Sequence, residues 1–115
     1  MNRERGKKKE IKYWHGTSWH GSTVYSTVKE LREIFGPPDY VGGIDDKVQF
    51  EWLLDLEVSN SLGTSAAVTI YDWKEYRKYD EEELIGFHIG GFSRCITKLA
   101  EKEIKKLIKI FNENE

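Results

Sequence analysis

Cysteine is almost missing from this chain. The single Cys95 excludes an internal disulfide and a cysteine-based zinc site, and it points to a reducing compartment. Long apolar runs are missing as well. No stretch approaches the roughly 20 residues that cross a bilayer, and the N-terminal charges lead into no apolar segment, so a cytosolic chain without a membrane partner is expected. Only two prolines occur, adjacent at Pro37 and Pro38, where they bar a preceding helix from restarting. Histidine is sparse. His15, His20 and His88 show neither the His-x-His nor the His-x-x-x-His spacing, so no metal site is expected, with or without Asp72. Serines are plentiful, yet none has nucleophile-elbow surroundings. Cys95 lies one turn into a C-terminal helix and reads as a small core residue. No catalytic constellation and no cofactor are expected.

Charge of one sign is short in places. The net charge of the 115 residues is −2, but residues 1–12 carry six basic and two acidic side chains (+4), residues 13–92 six and fourteen (−8), and residues 93–115 six and four (+2). An acidic middle excludes a long groove for extended nucleic acid, because phosphate backbones need clustered cations. It leaves room for a small anion held by a few local cations. Residues 1–10 are charged, lack periodicity and read as a disordered basic tail, leaving 11–115 as one domain.

What the chain does have is aromatic side chains, 13% of its residues, and clear alternation. Residues 11–14 alternate and are expected to form a first strand, running into a glycine loop over 15–21 that holds Trp19. Ser26 or Thr27 caps a helix to Phe35, with Val28, Leu31 and Phe35 on one face and Glu30 near the capping-box position. Gly36 stops it. After a Gly- and Asp-rich loop over 39–46, residues 47–58 alternate strongly. Val48, Phe50, Trp52, Leu54 and Leu56 point one way, and Gln49, Glu51, Asp55 and Glu57 the other. A turn over 59–63 leads into a partner strand over 64–73. Residues 80–83 form an acidic loop, 87–89 a short last strand, and Ser93 caps a C-terminal helix striped by Ile96, Ala100, Ile104, Leu107, Ile108 and Phe111. The order β-α-β-β-β-α predicts the α+β class: an antiparallel sheet of about four strands with both helices on one face.

The binding candidates follow from this layout. Val68 and Ile70 face the core, which leaves Thr69, Tyr71 and Trp73 on the other side, with Lys74 leaving the strand end. Two rings with polar edges make a platform for a flat ligand, an interface with another subunit, or simple core cover. Gly90 and Gly91 before a Ser-capped helix, with Arg94 in its first turn, suit one phosphate or carboxylate. Lys74 and Arg77 add charge beside the rings, His88 a hydrogen bond, and Trp19 further flat surface.

Several blocks resemble a family of small, largely uncharacterised phage-encoded proteins. They are Gly16-Thr17-Ser18 with Gly21, Leu31 with Phe35-Gly36 and Pro38, Asp46-Lys47-Val48, Glu51-Trp52, Thr69 to Lys74, and His88-Ile89-Gly90-Gly91. They span residues 16–91 in order. The family looks like the phage counter-defence class, some members of which sequester cyclic nucleotide or cyclic ADP-ribose signals of bacterial immunity (anti-Thoeris and anti-CBASS sponges), as oligomers with pockets at subunit contacts. The chain departs from the family pattern in its basic tail and at Trp19-His20. The resemblance implies a homo-oligomeric counter-defence protein in the host cytoplasm. The leading reading is non-catalytic capture of a nucleotide-type ligand, with Trp19, Tyr71, Trp73, Lys74, Arg77, His88, Gly90, Gly91 and Arg94 as the binding candidates that the layout supplies. Two alternatives stand beside it. One is a protein-binding inhibitor of a host defence enzyme, of anti-CRISPR or anti-restriction type. The other is a small hydrolase using His15, His88 or Asp72.

Overall fold

The computed structural model describes residues 14–58 and 65–114. The elements run β1 (Ser18–Ser26), α1 (Val28–Phe35), β2 (Tyr40–Val41), β3 (Phe50–Glu57), β4 (Ser65–Tyr71), β5 (Ile85–Gly91) and α2 (Arg94–Glu113). The strands form one sheet in the order β1-β5-β4-β3-β2, and every neighbouring pair is antiparallel. The α+β class stands, with five strands instead of four.

The extra strand has a clear origin. The loop after α1 contributes Tyr40 and Val41, which pair with Glu51 and Phe50. The first strand also sits later than the alternation of residues 11–14 predicts. Residues 11–13 lie outside the described residues, while the segment read as a glycine loop supplies most of β1. Gly21 has φ 97°, and the register slips between Trp19, opposite Gly90, and Ser22, opposite Ile89. A glycine at positive φ lets the strand bulge and continue where the sequence pattern reads as a loop. The expected turn over 59–63 lies outside the described residues, but β3 and β4 pair as that turn requires, from Glu51↔Tyr71 to Glu57↔Ser65.

One sheet face carries the core. Trp52, Leu54, Leu56, Val68, Ile70, Phe87 and Ile89 join Val28, Leu31 and Phe35 of α1 and Ala100 and Ile104 of α2 in a single buried cluster. Each such side chain contributes roughly 1.5–3 kcal/mol on leaving water. Trp52 is central: its ring meets Phe87 edge-on at 6.1 Å, and its Nε1 donates to the Gly36 carbonyl at 2.8 Å. Truncating Trp52 to alanine would therefore cost about 3–5 kcal/mol. Thr27 is the N-cap of α1, its Oγ1 accepting from the Glu30 amide at 2.9 Å, while the Glu30 carboxylate takes the Ser26 hydroxyl instead of closing a capping box. Ser93 caps α2, accepting from the Ile96 amide. Thr97, absent from the expected apolar stripe, is fully buried there and donates to the Ser93 carbonyl at 2.6 Å. Cys95 is exposed, one helical step away from the buried stripe, and is not the core residue that the sequence suggests.

Candidate ligand-binding face

Alternation along the strands sets the residues on the sheet face away from the helices. The register lines up one row across all five strands: Tyr40↔Glu51, Glu51↔Tyr71, Tyr71↔His88 and His88↔Thr23. Rings gather at its middle. Trp19 stacks on His88 with centroids 4.4 Å apart and planes 11° apart. Trp73 lies on His88 at 6.0 Å and 24°. Tyr71 stands edge-on to both His88 (5.5 Å) and Trp73 (6.1 Å). His88 is thus the hub, and Trp19 (47% exposed) and Trp73 (38% exposed) offer their remaining surface to solvent.

Two local devices hold the indoles there. Trp19 faces Gly90 across the ladder, so no side chain stands between it and His88, and its Nε1 closes over the bulge onto the Ser22 carbonyl at 2.9 Å. Trp73 is not part of β4, contrary to the alternation over 64–73. The strand ends at Tyr71 because Asp72 is drawn inside. Its Oδ1 accepts from the Gln49 and Phe50 amides at 2.8 and 3.0 Å, and its Oδ2 from the Tyr79 hydroxyl at 2.8 Å. The chain turns there through Lys74 (φ 56°) and Tyr76 (φ 51°), left-handed conformations that cost of order 1–3 kcal/mol each in non-glycine residues and persist where the surroundings enforce them. Gln49 Nε2 donates to the Arg77 carbonyl at 3.0 Å, completing the anchorage.

The polar groups of the row carry unspent hydrogen-bonding capacity. Among the described residues, the Glu51 carboxyl, the Tyr71 hydroxyl and the His88 imidazole form no side-chain hydrogen bond. Burial pushes the Glu51 carboxyl up from the usual carboxylate range, with Asp39 and Asp72 adding to the effect. Burial, then Glu51, raises the Tyr71 hydroxyl. Burial lowers the His88 imidazole, which favours its neutral form. Groups shifted mainly by desolvation and left without a protein partner are typical of sites that receive a ligand.

The structure brings Trp19, Tyr71, Trp73 and His88 together, with Lys74 Nζ 5.5 Å from the Trp73 ring. It does not bring the rest. Arg77 is engaged with Glu83 at 3.1 and 2.7 Å and with Glu75 at 3.4 Å, and lies over the Tyr79 ring. Gly90 and Gly91 are buried in β5 and not in a loop before α2. They are glycine because a Cβ would meet Thr69 Oγ1 at 2.5 Å and Thr97 Oγ1 at 2.7 Å. Arg94 begins α2 beyond Gly91, whereas Tyr71 pairs with His88 and leads to Lys74 towards the opposite end of β5. His15 is exposed, His20 binds the Gly91 carbonyl at 3.2 Å, and Asp72 is fully buried, so these do not share a site with His88. Among the described residues no three His, Cys, Asp or Glu side chains cluster as metal ligands, and no helix is long and apolar enough to cross a membrane.

No family model, curated protein or solved structure matches this chain. The face therefore stands on its own geometry.

Two contributors escape the sequence pattern. Glu51 reads there as an ordinary outward carboxylate, and only the register puts it opposite Tyr71. Lys47 is brought beside Lys74 by a backbone bond, Lys74 N to Lys47 O at 2.7 Å. Neither lysine forms an ion pair among the described residues, and the Lys74 ammonium adjoins the Trp73 ring.

Proposed function

We propose that this protein is a non-catalytic binding protein that captures a flat, nucleotide-type ligand on the open face of its sheet. One observation carries the reading: two exposed indoles stacked on a neutral-leaning His88, beside the Glu51 carboxyl and the Tyr71 hydroxyl, which form no side-chain hydrogen bond among the described residues. Trp19 and Trp73 provide stacking surface, worth about 1–3 kcal/mol per base. Lys47 and Lys74 supply positive charge for a phosphate at the Trp73 end. The sequence resemblance to phage counter-defence proteins gives this capture its setting, the removal of a cyclic nucleotide or cyclic ADP-ribose signal in the host cytoplasm. Capture at nanomolar Kd needs about −12 kcal/mol, more than two stacks provide, so a second copy closing over the face fits the oligomeric expectation.

The deciding experiment incubates the pure protein with cyclic di- and trinucleotides and cyclic ADP-ribose isomers, denatures it by heat and identifies what is released. Intact ligand supports capture. A cleaved product would replace it with a hydrolase. If no compound binds or raises Tm, the reading fails.

A second reading, a protein-binding inhibitor of a host defence enzyme, is favoured by β1. It is a nine-residue edge strand on which Trp19 and Tyr25 are 47% and 68% exposed, the kind of edge that pairs with a partner strand. Its test is capture of one defined host enzyme together with loss of that enzyme's activity.

A further inference from the structure

We infer that the Glu51–Tyr71 pair selects guanine among nucleobases. The inference rests on the capture reading above and deepens it by naming the base. Glu51 and Tyr71 are directly opposite each other on β3 and β4, and such partners on one face have Cβ atoms about 4.5–5.5 Å apart. An ionised carboxylate has two acceptor oxygens and no donor, and a phenol donates one hydrogen bond. Side by side they present donor, acceptor, acceptor. Guanine presents the complement along one edge: its carbonyl, its ring N–H and its exocyclic amino group.

The other bases do not fit. Adenine sets a ring nitrogen lone pair beside its amino group, so one carboxylate oxygen would face another acceptor. Cytosine has the same fault, and uracil has one donor between two carbonyls. Burial and the Glu51 charge both favour the protonated Tyr71 hydroxyl, which keeps it a donor. The partly buried carboxyl sharpens the choice. Glu51 has no hydrogen-bond donor of its own among the described residues, and a ligand that fails to supply one leaves a desolvated acceptor unpaired, the strongest basis for rejecting an analogue. Trp73, edge-on to Tyr71 at 6.1 Å, provides the ring on which the selected base would rest.

The test titrates GMP, IMP and AMP against the full chain, followed by tryptophan fluorescence and calorimetry. GMP is expected to bind on the order of 10- to 100-fold more tightly than AMP, the span of one bidentate contact, with IMP between them because it lacks the amino group. Glu51→Gln should bring the GMP-to-AMP ratio to within about threefold, whereas Trp73→Ala should weaken both nucleotides together. AMP binding as tightly as GMP, or a ratio unchanged in Glu51→Gln, overturns the assignment. Equal binding of both nucleotides sinks guanine selection alone. If neither mononucleotide binds, guanine selection falls, while the capture reading is decided separately by the cyclic-nucleotide panel.

Discussion

Trp19 lies flat on His88, centroids 4.4 Å apart and planes 11° apart, although the two residues are on different strands and Trp19 pairs with Gly90. The contact exists because a bulge and a missing side chain let the indole reach sideways. Its removal should be readable at the imidazole. In Trp19→Ala, His88 gains water and its pKa should rise towards the ordinary value of 6.5 from its lowered native position. Imidazole proton shifts followed by NMR against pH would show this, with about 0.5–1.5 kcal/mol of stability lost beyond simple area.

The same histidine fixes a pH dependence. Its native pKa is below the unfolded one, so the unfolded chain binds the proton first. Stability should fall as pH drops through the unfolded value of about 6.5, and the fall should end below the native pKa. In His88→Gln that segment of the Tm-against-pH curve should flatten. A curve unchanged in this window would contradict the burial assigned to the ring.

Glu51 should behave in the opposite sense. Burial raises its native pKa above the model value of 4.5, so the native state prefers the protonated form, and stability is lost as pH rises through that range. Glu51→Gln is therefore expected to raise Tm by a few degrees at pH 7. The gain should vanish below about pH 4.5, where both states carry the proton. A residue that costs stability at neutral pH is in keeping with one kept for binding.

Asp72 carries the loop that presents Trp73. Asp72→Ala would strand the Gln49 and Phe50 amides and the Tyr79 hydroxyl, each worth roughly 1–3 kcal/mol when buried without a partner. A loss of at least about 3 kcal/mol in urea unfolding is expected. Tyr79→Phe removes one of the three bonds and should cost about a third as much while keeping the loop in place. Ligand affinity should follow the loop, collapsing in the first variant and surviving in the second.

Gly90 and Thr69 make a separable pair. A Cβ on Gly90 would sit 2.5 Å from Thr69 Oγ1, and Thr69 is β-branched and buried at 3% exposure, so it cannot swing away. Gly90→Ala should cost about 1–3 kcal/mol. Thr69→Ala in the same chain should restore much of it, a coupling that a double-mutant cycle would measure.

Much of this fold is legible in the sequence wherever period and punctuation agree. Residues 47–58 alternate, with Leu53 as the exception, and their larger part, Phe50–Glu57, becomes β3. Thr27, Gly36 and Ser93 mark helix ends by their chemistry. Legibility fails where a residue's role depends on a distant partner. Gly21 looks like a loop glycine until β5 gives the bulge a ladder to interrupt. Gly90 and Gly91 look like an anion-binding turn, but the side chains that demand them, Thr69 and Thr97, arrive from another strand and a helix. Trp73 continues the alternation of β4 perfectly, and only the buried fate of Asp72 takes it out of the sheet. For the site, aromatic residues are visible by type. Glu51 is invisible because its meaning is its register with Tyr71.

That register has a consequence for how such a protein can change over generations. Glu51, Tyr71 and His88 share their strands with Trp52, Ile70 and Ile89, which point the other way. Inserting or deleting one residue within β3, β4 or β5 would exchange the two sets, turning the polar row inward and the core outward. Such a lineage can revise its preference by replacing side chains one at a time along the row, or by lengthening the connections over residues 42–49 and 72–84 at points away from the bonds that Asp72 and Gln49 make between them.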